Sequence, residues 1–104
     1  MQRMRHPGGT SCGRRWLPLA YYVGWPRSLG RWLAAIMDRE SSGRPRAYNP
    51  VISCTGLTQI WPGNVAYTHL SWSGRIRWLM DPENNLRAAL RLYREAGTSP
   101  WRVY

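Results

Sequence analysis

At 104 residues the chain is one domain's worth, with no room for a second. Its 43% hydrophobic content is that of a globular protein and not of a disordered one. A formal charge of +10 draws it toward polyanions (nucleic acid, an anionic membrane surface or an anionic cell wall) without choosing among them. All the basic residues are Arg and Phe is absent, which reads as a coding bias; Arg at any one position is therefore not taken as chosen for its geometry. Cys12 and Cys54 allow one disulfide, and sequence does not show that it forms. No C-x-x-C or H-E-x-x-H spacing exists, and His6 and His69 are the only imidazoles, so a zinc site is not expected and no cofactor is implied.

Residues 1–15 are rich in Arg, Gly and Pro without periodicity and read as a mobile basic tail, with the folded domain at 16–104. The basic start Met1–Arg5 is followed by His6-Pro7-Gly8-Gly9-Thr10, which is not the apolar core of a secretory signal. Residues 16–26 are apolar and aromatic, too short to span a bilayer, and predict a short helix packed on the domain. No transmembrane segment is expected, so action outside a cytoplasm would require lysis, a virion or another export route.

After Pro26 a helix is expected, with Ser28 as its N-cap and Trp32, Leu33, Ile36 and Met37 as one apolar stripe. It should stop at Ser41-Ser42-Gly43, where Gly accepts the left-handed conformation. Residues 44–56 read as loop, Leu57-Thr58-Gln59-Ile60 as a short ordered segment, and Pro62-Gly63 as a turn. Val65 to Leu70 could be helical, while Ser71-Trp72-Ser73-Gly74 reads as loop. The last helix is the best marked: Asp81 as N-cap, Pro82 at its first position and Gly97 past its end. Leu86, Ala89, Leu90 and Tyr93 form its buried stripe, Arg87, Arg91 and Arg94 its outer face, and Glu83 pairs with Arg87 at i,i+4. Pro100-Trp101 folds the tail back. The expected fold is small and mainly α, and a monomer.

Glu40 is out of place. The stripe Leu33, Ile36, Met37 puts its next inward position at 40, where a carboxylate stands. A carboxylate facing an apolar interior at a helix C-terminus is pushed toward its protonated form, which a glycosidase general acid requires. The competing reading is a frayed last residue paired with Arg39 or Arg44.

Glu40-Ser41-Ser42-Gly43 followed by Pro45, Ala47 and Asn49 resembles the E-S-x-x-x-P-x-A-x-N signature of the lysozyme-like lytic transglycosylases, the SLT family. Gly56-Leu57-Thr58-Gln59-Ile60 is similar to that family's G-L-x-Q-I segment, and Leu79-Met80-Asp81-Pro82-Glu83-Asn84-Asn85 to its L-x-D-P-x-x-N helix start. Ala88-Ala89, Tyr93, Gly97, Pro100-Trp101 and Gly24-Trp25-Pro26 resemble actinobacterial and phage members. The set spans roughly residues 24–104. The chain is shorter than many members, and the A-Y-N segment that many carry near the C-terminus is not evident.

The resemblance implies a lysozyme-like helical domain with the catalytic Glu at the base of a sugar-binding groove. Carried over, Glu40 is the acid/base and Ser41 holds its orientation. Gln59, Thr58 and the Leu57–Ile60 backbone line the groove. Tyr48 and Asn49 border it, and Asn85 and Tyr93 face it from the last helix. For Asn85 the alternative is a first-turn helix residue, for Tyr93 a core aromatic. The implied substrate is peptidoglycan, cleaved between N-acetylmuramic acid and N-acetylglucosamine, with anionic wall polymers attracted by charge. None of Asp38, Asp81, Glu83 or Glu95 is a persuasive second carboxylate, so a single acid is expected to act, giving either a 1,6-anhydro end or hydrolysis. The rivals are a non-catalytic wall-binding module and a basic nucleic-acid binder; no recognition helix or RNA-binding motif supports the latter, and no specific nucleic acid is expected.

Overall fold

The protein is described by a computed structural model over residues 12–102, and among these residues four α-helices and four 3-10 segments make up the secondary structure. The helices are α1 (Leu17–Val23), α2 (Gly30–Ser41), α3 (Trp72–Leu79) and α4 (Pro82–Ala96). The 3-10 turns lie at Arg14–Trp16, Arg27–Leu29, Pro62–Thr68 and Ser99–Trp101. Among the described residues there is no named strand, and the mainly α expectation holds. No helix among them is long and apolar enough to cross a membrane.

The core forms where the apolar stripes meet. Leu33, Ile36 and Met37 of α2 pack with Leu57 and Ile60, with Leu79 at the end of α3, and with Leu86, Ala89 and Leu90 of α4. Each fully buried aliphatic side chain contributes about 1.5–3 kcal/mol relative to an exposed one. Trp25 and Trp101 close the cluster. The Trp25 indole donates to the Leu86 carbonyl at 2.9 Å, so its polar end costs nothing on burial. Trp25, Trp32, Tyr93 and Trp101 stack on one another with ring centroids 5.5–6.2 Å apart.

The last helix matches its sequence signals. Asp81 accepts from the Asn84 N–H at 3.0 Å, Pro82 opens the helix, Gly97 ends it, and Arg87 pairs with Glu83 at 2.9 Å. The start of α2 does not match. Ser28 falls inside the 3-10 turn Arg27–Leu29, and the capping position is Leu29, with no side-chain cap bond. The chain tightens into 3-10 geometry there before widening to α, so Ser28 lies one residue before the capping position. At the other end Ser42, not Gly43, takes the left-handed cap, with φ 55°; Gly43 follows at φ 70°.

Ser71-Trp72-Ser73-Gly74 is also not a loop. Ser71 is the N-cap of α3 and accepts from the Gly74 N–H at 3.1 Å, so the Ser- and Gly-rich signature marks a helix entrance. The segment from Val65 is 3-10, kinked at Val65, and ends at Thr68. The described residues reach back before residue 16, to residue 12. Gly13 is buried and donates to Asp38 Oδ1 at 2.7 Å, and the Trp16 indole donates to the Gly43 carbonyl at 2.8 Å. Residues 12–15 thus pack on the C-terminal half of α2, and the rest of the expected tail, 1–11, lies outside the described residues. The structure forms no Cys12–Cys54 disulfide.

Candidate active site

The site is built where the C-terminal end of α2 meets a small patch of three chain segments joined by isolated bridges. Tyr48 bridges to Thr55, and Thr55 to Ile60, both antiparallel. Asn49 N–H donates to the Cys54 carbonyl at 2.9 Å, and Thr55 and Ile60 exchange two backbone bonds of 3.0 Å each. Between them Gly56 to Gln59 form a tight turn closed by the Gln59 N–H on the Gly56 carbonyl.

Glu40 stands at the edge of this patch. Its side chain is 26% exposed, and Oε2 accepts from Arg39 Nε and Nη2 at 3.0 and 2.8 Å. Among the described residues nothing donates to Oε1. The expectation of a carboxylate inside an apolar interior is therefore corrected. The buried line of α2 runs Leu33, Met37, Ser41, four residues apart, and Glu40 sits on its shoulder. The Arg39 pairing that competed with the catalytic reading is present. Arg39 also donates to the Trp101 carbonyl, tying the carboxylate to the C-terminal turn.

Ser41 is buried and does not touch the Glu40 carboxylate. Its hydroxyl lies 3.0 Å from the Met37 carbonyl and 2.8 Å from that of Leu57, sharing one proton between them. It fastens the end of α2 to the Leu57 turn and so sets where Glu40 emerges.

Asn85 does not face solvent. It is 0% exposed, its Oδ1 accepts from the Thr58 N–H at 3.0 Å and hydroxyl at 2.6 Å, and its Nδ2 donates to the carbonyls of Thr55 and Leu79. Every hydrogen-bonding capacity of that amide is spent inside the protein. Thr58 and Ile60 are likewise buried, so this turn can offer a ligand backbone groups and Gln59, not the Thr58 hydroxyl or the Ile60 side chain. Gly56 makes the arrangement possible: it holds φ 85°, and a Cβ there would collide with Asn85 Nδ2 and the Leu79 carbonyl.

Gln59 takes a left-handed φ of 56°, and its Nε2 donates to the carbonyls of Ala47 and Gly56, both at 3.1 Å. A non-glycine residue held there is a strained position of the kind that gathers at functional sites. Among the described residues nothing donates to its amide oxygen. Tyr48 is exposed, with its hydroxyl 3.3 Å from Ser53 Oγ, and Asn49 Oδ1 accepts from Val51 N–H. Tyr93 packs between Trp25 and Trp32, which is the core-aromatic alternative.

Two further residues belong to the site. Burial pushes the Cys54 thiol above the ordinary thiol range, and the Glu40 charge pushes it further the same way, so the thiol and carboxylate lie within Coulombic reach. Trp101 is buried, and its indole donates to the Thr58 carbonyl at 2.9 Å, pinning the same turn that Asn85 holds. Trp101 was legible as a folding-back residue. Cys54 gave no local signal, because the contact joins a helix end to a hairpin.

The other acids are committed. Asp38 accepts from Gly13, Asp81 caps α4, Glu83 pairs with Arg87, and Glu95 lies 3.6 Å from Arg91. Glu40 likewise has, among the described residues, one bonded and one unbonded oxygen, and differs from these acids in standing at the end of α2 beside the strained turn.

Neither the curated proteins nor the solved structures contain a match to this chain. The family model described as the transglycosylase SLT domain matches residues 25–101, from the indole that closes the core to the one that pins Thr58. That span takes in all four segments just described: the end of α2, the hairpin, the Gly56–Ile60 turn and the start of α4. With most of the chain matched and the fold helical and lysozyme-like, the chain belongs to the transglycosylase SLT domain family.

Proposed function

We propose that the protein cleaves the β-1,4 bond between N-acetylmuramic acid and N-acetylglucosamine in peptidoglycan, with Glu40 as its single acid/base. Family membership supports lytic transglycosylase activity on peptidoglycan in general. The observation that carries the finer reading is the free Glu40 Oε1, the one carboxylate oxygen of the site not used to hold the fold, next to a turn over-determined by Asn85, Trp101 and Gly56.

In this mechanism Glu40 delivers a proton to the glycosidic oxygen as the C1–O bond breaks and the N-acetylglucosamine hydroxyl departs. Positive charge develops at C1 of the muramic acid, and the substrate's own acetamide oxygen supports it, since no second carboxylate stands opposite. The Glu40 carboxylate then takes the proton of the 6-hydroxyl as that oxygen bonds to C1, which yields a 1,6-anhydro end. A water in place of that hydroxyl yields a reducing end. Gln59 and the backbone of its turn hold the N-acetyl groups, and Tyr48 and Asn49 border the strand. The protein acts as a monomer at the bacterial cell wall, where its +10 charge concentrates it on anionic polymers.

The test is a digest of purified peptidoglycan by wild type and Glu40→Gln, with products identified by mass spectrometry. Anhydro ends from wild type alone would establish transglycosylation, and reducing ends hydrolysis. Equal release by both proteins, or none by either, would sink the assignment and leave a wall-binding module.

A further inference from the structure

Arg39 and Glu40 are successive residues of α2, and successive side chains of a helix point about 100° apart, so they do not face each other by default. Yet Arg39 Nε and Nη2 both donate to Glu40 Oε2, at 3.0 and 2.8 Å. A third acceptor accounts for the contact: the same Nη2 donates to the Trp101 carbonyl, 62 residues further along the chain. That carbonyl belongs to the turn Ser99–Trp101, which is itself fixed. The Trp101 ring is buried, its indole donates to the Thr58 carbonyl, and it meets Trp32 edge to face with centroids 5.6 Å apart. The guanidinium is thus held from outside the helix, and the carboxylate is held by the guanidinium. Arg44, the other cation near the end of α2, gives its Nε to the Ser41 carbonyl at 3.1 Å.

The bonding pattern differs from the common fork, in which a guanidinium serves both carboxylate oxygens. Here both donors meet one oxygen, and among the described residues nothing donates to the other. A carboxylate is planar, so holding Oε2 also sets where Oε1 lies. Oε2 already accepts two N–H groups, which leaves Oε1 as the oxygen to carry a proton. An exposed ion pair of this kind adds little to stability, so its consequence lies in orientation and not in folding.

We infer that Arg39 is a positioning residue for the reaction of Glu40: anchored on the Trp101 carbonyl, it fixes the carboxylate so that Oε1 alone gives up and takes back the proton. The inference rests on the proposed function of Glu40. The O–H bond at Oε1 breaks as the glycosidic oxygen takes that proton, and it forms again with the proton of the attacking hydroxyl. Trp101 thereby serves both halves of the site, the Gly56–Ile60 turn through its indole and the acid through its carbonyl.

Two measurements test this role. The first is peptidoglycan turnover by wild type, Arg39→Gln and Arg39→Lys. A misplaced acid lowers kcat and leaves binding alone, so Arg39→Gln should lose about tenfold or more in kcat with KM within about twofold. Arg39→Lys has one nitrogen to serve both Oε2 and the carbonyl, and should recover part of the loss. Both variants should melt within a few degrees of wild type. The second measurement needs no turnover. The Cys54 thiol feels the Glu40 charge, so its rate of alkylation by iodoacetamide reports where the carboxylate stands. Arg39→Gln should change that rate when Glu40 is present, and much less in the Glu40→Gln background. A direct effect of the Arg39 charge on the thiol would be the same in both backgrounds. An unchanged kcat in Arg39→Gln overturns the inference, as does a rise in KM alone or a loss of kcat matched by a loss of folded protein. If wild type and Glu40→Gln turn over peptidoglycan alike, or neither does, the reading of Glu40 fails by itself, and the thiol coupling still decides whether Arg39 holds the carboxylate. Absence of that coupling overturns the inference in either case.

Discussion

Asn85 Oδ1 accepts two hydrogen bonds from Thr58, one from its backbone N–H and one from its hydroxyl, across 27 residues of sequence. Through this pair the first turn of α4 dictates the position of the Gly56–Ile60 turn. Asn85→Ala strips the partner from both Thr58 donors and a donor from the Leu79 carbonyl, while the Thr55 carbonyl keeps the Ile60 N–H. Each buried orphan costs about 1–3 kcal/mol, so a loss of roughly 3 kcal/mol or more is expected. For a domain of this size each kcal/mol moves Tm by about 4–8 °C. Circular-dichroism melting should show a drop above about 10 °C, and a change of only a few degrees would refute the structural role.

Trp101 holds the same turn from the opposite side, at the Thr58 carbonyl. Trp101→Phe keeps most of the ring and removes that bond, with an expected cost of about 1–2 kcal/mol. Because both residues act on Thr58, the double variant with Asn85→Ala should be less unstable than the sum of the two singles. A denaturant double-mutant cycle that came out additive would show that the turn is not a shared element.

Gly56 carries the steric condition for this architecture. Gly56→Ala would strain a φ of 85° and drive a methyl into Asn85 Nδ2 and the Leu79 carbonyl, backbone that cannot yield cheaply. Destabilisation of at least about 3 kcal/mol is expected, read as a shifted urea midpoint with unchanged slope. A stable, active Gly56→Ala protein would contradict the turn geometry.

Cys54 reports on Glu40. Its raised pKa means the folded state holds the thiol proton more tightly than the unfolded chain. Its contribution to stability is therefore full below the ordinary thiol value and is lost as pH rises through the folded value. Melting at stepwise pH should show that decline on the alkaline side, and Cys54→Ser should reduce it. At pH 8 iodoacetamide should modify Cys54 slowly, followed by peptide mass spectrometry. Glu40→Gln removes the neighbouring charge that holds the thiol pKa up, and should speed the reaction. Equal rates in the two proteins would place the carboxylate away from the thiol.

Glu40→Gln should also lower peptidoglycan turnover by about 10²–10⁴-fold, the usual worth of a positioned general acid. Melting should move little, because an exposed Arg39–Glu40 pair contributes at most about 1 kcal/mol. A variant that lost activity only by unfolding would remove the catalytic reading.

By itself the sequence determined whatever local chemistry enforces. Asp81, Pro82 and Gly97 bounded α4 because caps and a proline act within one turn. The Leu33–Met37 stripe set the buried face of α2 because helical period alone orders it. The ordered motifs from Gly24 to Trp101 carried the family. Only tertiary structure decided which motif residues reach solvent. Asn85 and Thr58 occupy each other's hydrogen bonds, Ser41 spends its hydroxyl on the Leu57 carbonyl, and Tyr93 packs half-buried against Trp25 at the core's edge. Glu40 emerged at the rim and not inside because Ser41, four residues after Met37, took the inward position. Those outcomes depend on contacts between distant segments, where burial and polar satisfaction are settled by partners that no window of sequence contains.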